Sequence, residues 1–138
     1  VLRAGNSGKS AATGTLVRTT GFLSHTDLMM GCSLDGHVDD FAGIVELKVP
    51  KTATHVKYLR AGTMPSEHLA QVTHNLYVSG AAWCDFASFD DRLPDGLQLF
   101  VVRVKREDVD LASYEKAARA FLVEVDAEVE AVRGLRRM

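Results

Sequence analysis

Residues 29–49, MMGCSLDGHVDDFAGIVELKV, decide how this chain folds. Two apolar-rich runs, 29–38 and 43–49, flank Asp39-Asp40-Phe41-Ala42, and a short polar turn between strand-like runs predicts an antiparallel hairpin. Side chains alternate along an extended strand, so Val45, Leu47 and Val49 face one way and Ile44, Glu46 and Lys48 the other. With the turn at 39–42, Val38 pairs with Gly43, and counting back along both strands brings Asp35 opposite Glu46. Carboxylates held side by side repel, and a bound divalent cation is the simplest relief. Oxygen ligands of this kind suit magnesium or manganese, and the Lys48 ammonium would stabilise negative charge developing on an attacked phosphate. That is the chemistry of phosphodiester hydrolysis. The plainer reading of the same residues is a solvated E-x-K face with a modest ion pair, and a slip of one residue in register separates Asp35 from Glu46.

Outward from the hairpin, the chain alternates between strand and helix signals. Residues 15–24 read as a strand, and residues 1–14, rich in Gly, Ser, Ala and Thr, as a flexible arm preceding a core domain over 15–138. After Pro50 a basic loop is expected to lead to Met64-Pro65. Leu69, Val72 and Leu76 then recur at helical spacing over 66–79, with Gly80 as the stop and His68, Gln71 and Asn75 as a polar stripe on the opposite side. Residues 83–89 and 97–106 read as strands joined by a turn at 92–96, and Trp83 and Phe86 as core residues. From Asp108 to about Val132, Leu111, Tyr114, Ala118, Phe121, Val125 and Val132 define one face of a long amphipathic helix. These elements predict an α/β (α+β) chain with a mixed central sheet flanked by helices.

Composition bounds the function classes. A length of 138 residues, 46% apolar and 25% charged, suits one domain core. The formal charge of −2 excludes binding of nucleic acid by net charge alone. The charge is unevenly spread, however: residues 107–130 hold eight acids and two bases, which leaves +4 on the remainder. No apolar run is long enough to span a bilayer and no hydrophobic signal core is seen, so no membrane partner and a cytoplasmic location are expected. Cys32 and Cys84 are expected to be reduced thiols, and together with His25, His37 and His74 they show no metal-ligand spacing. Gly5-Asn-Ser-Gly-Lys9-Ser10 has two residues between its glycines where a phosphate loop of the Walker type needs four.

Several ordered motifs extend beyond the hairpin. Cys32-Ser33-Leu34-Asp35-Gly36, then Gly43-Ile-Val-Glu46-Leu-Lys48-Val-Pro50, His55 with Tyr58-Leu59, Gln71-Val72, Val78-Ser79-Gly80 and Trp83-Cys-Asp85-Phe-Ala-Ser88-Phe-Asp90 follow in sequence. This series closely resembles the YqaJ-type viral recombinase family, the phage lambda exonuclease group of the PD-(D/E)xK nuclease superfamily. The resemblance implies a restriction-endonuclease-like core. It implies that Asp35, Glu46 and the carbonyl of Leu47 bind Mg²⁺ or Mn²⁺, that Lys48 positions or activates the attacking water, and that Gln71 supports the site. It further implies a phage or prophage protein of a bacterial host that acts on double-stranded DNA ends, a phage single-strand annealing protein as partner, and a ring-type trimer. The bases after the E-x-K strand, Lys51, Lys57 and Arg60, together with His55, form a candidate DNA-backbone patch, and a solvated basic loop is the plainer reading.

Leu34 stands where the family usually has Pro, and Val49 where it commonly has Cys; neither position is a ligand. A larger departure lies upstream. Family members carry another acid on a helix some two dozen residues before the motif Asp, whereas residues 1–26 contain no Asp or Glu. The expectation is therefore a metal-dependent deoxyribonuclease lacking N-terminal catalytic elements. The alternatives are a catalytically inactive remnant or DNA-binding module of the same fold, and an unrelated metal-dependent hydrolase.

Overall fold

Parallel neighbours in a sheet need a long crossover, and the 34 residues between the E-x-K strand and the Trp83 strand supply one as two helices. The computed structural model describes Gly8–Lys9 and residues 15–137. Its strands are β1 (Gly8–Lys9), β2 (Leu16–Val17), β3 (Phe22–Ser24), β4 (Gly31–Ser33), β5 (Gly36–Val38), β6 (Gly43–Lys48), β7 (Trp83–Phe89) and β8 (Leu99–Lys105). Its helices are α1 (Thr52–Ala61), α2 (Ser66–Ser79) and α3 (Leu111–Leu135). The main sheet runs β5-β6-β7-β8, with β6 and β7 parallel and the other pairs antiparallel. Two small antiparallel pairs, β1-β2 and β3-β4, precede it.

Alternation sorts the sheet's side chains between two clusters. Ile44, Cys84, Phe86, Phe100 and Val104 face α1 and α2 and pack with Tyr58, Val72 and Leu76. Val45 faces the other way, where it meets Val17, Val38 and Trp83. Gly43 is required for that second cluster, because a Cβ there would lie 2.1 Å from the Trp83 ring. On the same face Arg103 lies over the Trp83 ring, 4.5 Å from its centroid, and makes two bonds to Asp85 at 2.7 and 2.8 Å.

The predicted hairpin forms with the expected pairs Val38 with Gly43, His37 with Ile44 and Gly36 with Val45. Its turn holds Asp39, Asp40 and Phe41 at φ of 48°, 54° and 70°, a left-handed run that disfavours side chains with a Cβ. Stacking of Phe41 on His37, centroids 4.1 Å apart, offsets part of that strain. Helix α2 has its predicted bounds and ends on Gly80 at φ 72°, whose N–H bonds the Leu76 carbonyl.

Several expectations change. The 29–38 strand divides into β4 and β5 at Leu34-Asp35, and 15–24 divides into β2 and β3. The stretch after Pro50 is helix α1 and not a loop: His55, Tyr58 and Leu59 form its inward stripe, and the polar identity of His55 conceals the apolar spacing. Helix α3 continues to Leu135, and no residue of it is fully buried; Phe121 and Val132, expected on its packed face, are about three-fifths exposed, at 62% and 60%. Within the expected N-terminal arm, Gly8–Lys9 is a strand, and the rest of residues 1–14 lies outside the described residues. Among the described residues no helix is long and apolar enough to cross a membrane.

Candidate active site

The break between β4 and β5 creates the site. Strand β5 starts at Gly36, so β6 outruns it, and the N–H of Leu47 has no strand partner on that edge. The Asp35 carboxylate takes the place of that partner: its Oδ2 accepts the Leu47 N–H at 2.8 Å. In an extended strand the N–H and C=O of one residue point to the same neighbour, so the Leu47 carbonyl opens toward the same edge as Asp35. Asp35 is exposed, whereas Glu46 on the next residue of β6 is almost fully buried.

Glu46 gathers the remaining groups. Its Oε1 pairs with the Lys48 ammonium at 2.9 Å, and its Oε2 accepts from the Asn75 side-chain amide at 3.1 Å. Lys48 also donates to Gln71 Oε1 at 2.9 Å. Burial pushes the Glu46 carboxyl above its ordinary range; the bonds from Lys48 and Asn75 oppose this, and the charge of Asp35 adds to it. Of the residues expected from sequence, Asp35, Glu46, Leu47, Lys48 and Gln71 thus converge on one end of the sheet. Asn75 was legible only as part of the polar side of α2, and its contact with Glu46 was missed. The signal that could have found it is its spacing of four from Gln71, one helical turn.

The next shell is aromatic. Tyr58 OH donates to Glu67 and lies 3.1 Å from His68 Nε2, and the His68 ring stacks on Phe86 with centroids 5.2 Å apart. Burial and the positive charge of Lys48 favour neutral His68, and burial with the Glu67 contact pushes the Tyr58 hydroxyl up to about 12. His68, Val72, Asn75 and Leu76 are thereby turned toward the sheet, and Leu69, expected on the packed face, is exposed.

The residues of the candidate DNA patch differ in exposure. Lys51, Lys57 and Arg60 are exposed on or next to α1. His55 is a correction: it is fully buried, with Nδ1 2.7 Å from the Ser88 hydroxyl and Nε2 donating to the Leu97 carbonyl at 2.9 Å. A histidine on the inward side of α1 fastens the helix to β7 and cannot reach a DNA backbone.

The donor set fits a hard cation. Among the described residues no three His, Cys, Asp or Glu side chains cluster as a metal site. Asp35, Glu46 and the Leu47 carbonyl offer oxygen donors alone, the kind that Mg²⁺ prefers, and leave positions for water and phosphate oxygens. The charge of Asp35 acts on Glu46 in the same direction as burial, disfavouring its ionised form.

Residues 10–82, more than half of the chain, match the model of the YqaJ-like viral recombinase domain. Among solved structures, the chain is similar to an alkaline exonuclease (LHK-Exo) from Laribacter hongkongensis, with 38% identity and a TM-score of 0.82 over 88% of this chain and 63% of that one. A second structure, LHK-Exo in complex with dAMP, gives 38% identity and a TM-score of 0.81 over 88% of this chain and 62% of that one. The chain thus spans less than two thirds of the length of these relatives. No curated protein matches it significantly.

Proposed function

The chain belongs to the YqaJ-like viral recombinase family, and from that premise we propose that it carries the metal-dependent centre of a DNA exonuclease that resects linear duplex by phosphodiester hydrolysis. The observation that carries the reading is the convergence of Asp35, Glu46, Lys48 and Gln71 where β6 outruns β5. Mg²⁺ or Mn²⁺ held by Asp35, Glu46 and the Leu47 carbonyl would supply Lewis-acid stabilisation of the attacked phosphate and a more acidic water. Lys48, half-hidden between Glu46 and Gln71, presents a fixed ammonium toward charge developing on phosphate, and Gln71 holds that ammonium in place. Lys51, Lys57 and Arg60 contact the DNA backbone without reading sequence. On this reading the partners are the ends of double-stranded DNA, a phage single-strand annealing protein and further copies of the chain in a ring, in the cytoplasm of a bacterial host.

The test is degradation of linear duplex by the natural full-length protein with Mg²⁺ or Mn²⁺. Asp35→Ala and Lys48→Ala should each abolish it. Degradation that survives Asp35→Ala refutes the site, and a wild type that binds DNA without hydrolysing it favours the non-catalytic reading.

A further inference from the structure

We propose that Asn75 is the positioning residue that fixes the Glu46 carboxylate for cation binding. The proposal rests on the reading of Asp35 and Glu46 as cation ligands, and assigns a residue that neither pattern nor resemblance singled out for a role.

Helix α2 sends two side chains to the site from successive turns. Gln71 lies at the exposed rim and holds Lys48, while Asn75, 3% exposed, reaches Glu46 from beneath. Packing does not demand a polar residue at this position, since its neighbours on the buried face of α2 are Val72 and Leu76, both fully buried. A buried amide is unfavourable unless bonded, so its presence points to the bond it makes.

That bond differs in kind from the one made by Lys48. The ammonium on Oε1 has a second acceptor in Gln71 Oε1, so it can leave Glu46 and remain hydrogen-bonded. Asn75 acts on the other oxygen, Oε2, from within a regular helix whose neighbouring side chains are locked in the core. One oxygen of Glu46 is thus exchangeable and the other anchored. The anchoring donor is neutral, so it orients the carboxylate without cancelling the negative charge that attracts a cation; a lysine or arginine at position 75 would cancel it. Outer partners of metal-binding carboxylates act in this way, and their removal typically weakens metal affinity about 10- to 100-fold.

The experiment is calorimetric titration of the DNA-free, full-length protein with Mn²⁺, for wild type, Asn75→Leu, Asn75→Ala and, as a control on the exposed side of α2, Leu69→Ala. Asn75→Leu keeps the branched shape at a larger volume and loses the donor, and Asn75→Ala provides a smaller replacement where leucine impairs folding. Both should weaken Mn²⁺ binding about tenfold or more, with Leu69→Ala unchanged. DNA hydrolysis by both variants should recover as Mn²⁺ is raised to saturation; a purely structural role would depress it at every Mn²⁺ concentration. Folded variants that bind Mn²⁺ within about twofold of wild type overturn the role of Asn75. A wild type that binds no Mn²⁺ overturns the cation reading itself, and this proposal with it.

Discussion

Two carboxylates are withdrawn from water at the same ends of neighbouring parallel strands, Glu46 near the end of β6 and Asp90 just past β7, at 3% and 1% exposure. Asp90 is saturated. It accepts from the Arg92 guanidinium at 2.7 and 3.2 Å, from the Arg92 N–H at 3.0 Å and from the Thr52 hydroxyl at 2.6 Å. The Arg92 and Thr52 bonds hold its carboxyl well below the usual carboxylate range. Arg92 also reaches the Pro50 carbonyl at 3.2 Å, so the cluster fastens the start of α1 to the end of β7. Glu46 has fewer donors and a second acid nearby, and burial lifts its carboxyl instead. A buried acid whose lone pairs are all filled by its own chain is a fastener; one left short of donors beside another acid is what the proposed cation site requires.

The sharpest way to break this contrast is to neutralise each acid without changing its shape. Glu46→Gln should lower hydrolysis of linear duplex by roughly 10²–10³-fold, the scale of losing a principal electrostatic group in a site. It should leave the melting temperature unchanged or raise it, because it removes a charge that burial disfavours. Asp90→Asn should do the reverse, lowering the melting temperature while the folded protein keeps its Mn²⁺ affinity. If both substitutions act on stability in the same direction, the contrast is wrong.

Acidification separates the two acids by sign. Glu46 has a folded value above its unfolded value of about 4.3, so the folded state takes up the proton first, and stability rises as pH falls through that folded value toward about 4.3. Asp90 has a folded value below its unfolded value of about 3.9, so its contribution is complete above that pH and is lost as pH falls through the folded value. Urea unfolding across pH should show the first limb absent in Glu46→Gln and the second absent in Asp90→Asn. Smaller still, Thr52→Val should cost about 1.5–3 kcal/mol in urea unfolding, the loss of one hydrogen bond to a charged group. Glu130→Ala, at the exposed pair with Arg133, should not move the melting temperature measurably.

The two acids also differ in how far they could be read in advance. Glu46 was legible because period-two alternation and one turn position determine a hairpin register, and the register carries Asp35 to it. Gln71 was legible as a helical residue whose role came from family resemblance. Asp90 appears in the family motif without a role, because its partners Thr52 and Arg92 belong to different elements and sequence gives no distance between them. The misreading of His55 has a similar cause: pattern counts histidine as polar and therefore wet, whereas Ser88 and the Leu97 carbonyl satisfy both ring nitrogens in the core.

Sequence by itself determined the local matters: the hairpin and its pairing, the span and stop of α2, the strands around the 92–96 turn, and the Asp-Glu-Lys order that marks the candidate site. These follow from periodicity, turn chemistry and caps, which act within a few residues. Tertiary structure alone decided that β5 begins too late to cover Leu47, so that Asp35 fills the gap, and that Asn75 turns inward to Glu46. It also decided that α3 leaves much of its apolar stripe, Phe121 and Val132 included, in water. Which buried polar group meets which partner, and which apolar face finds cover, is settled by packing between elements distant in sequence, and no local pattern encodes that distance.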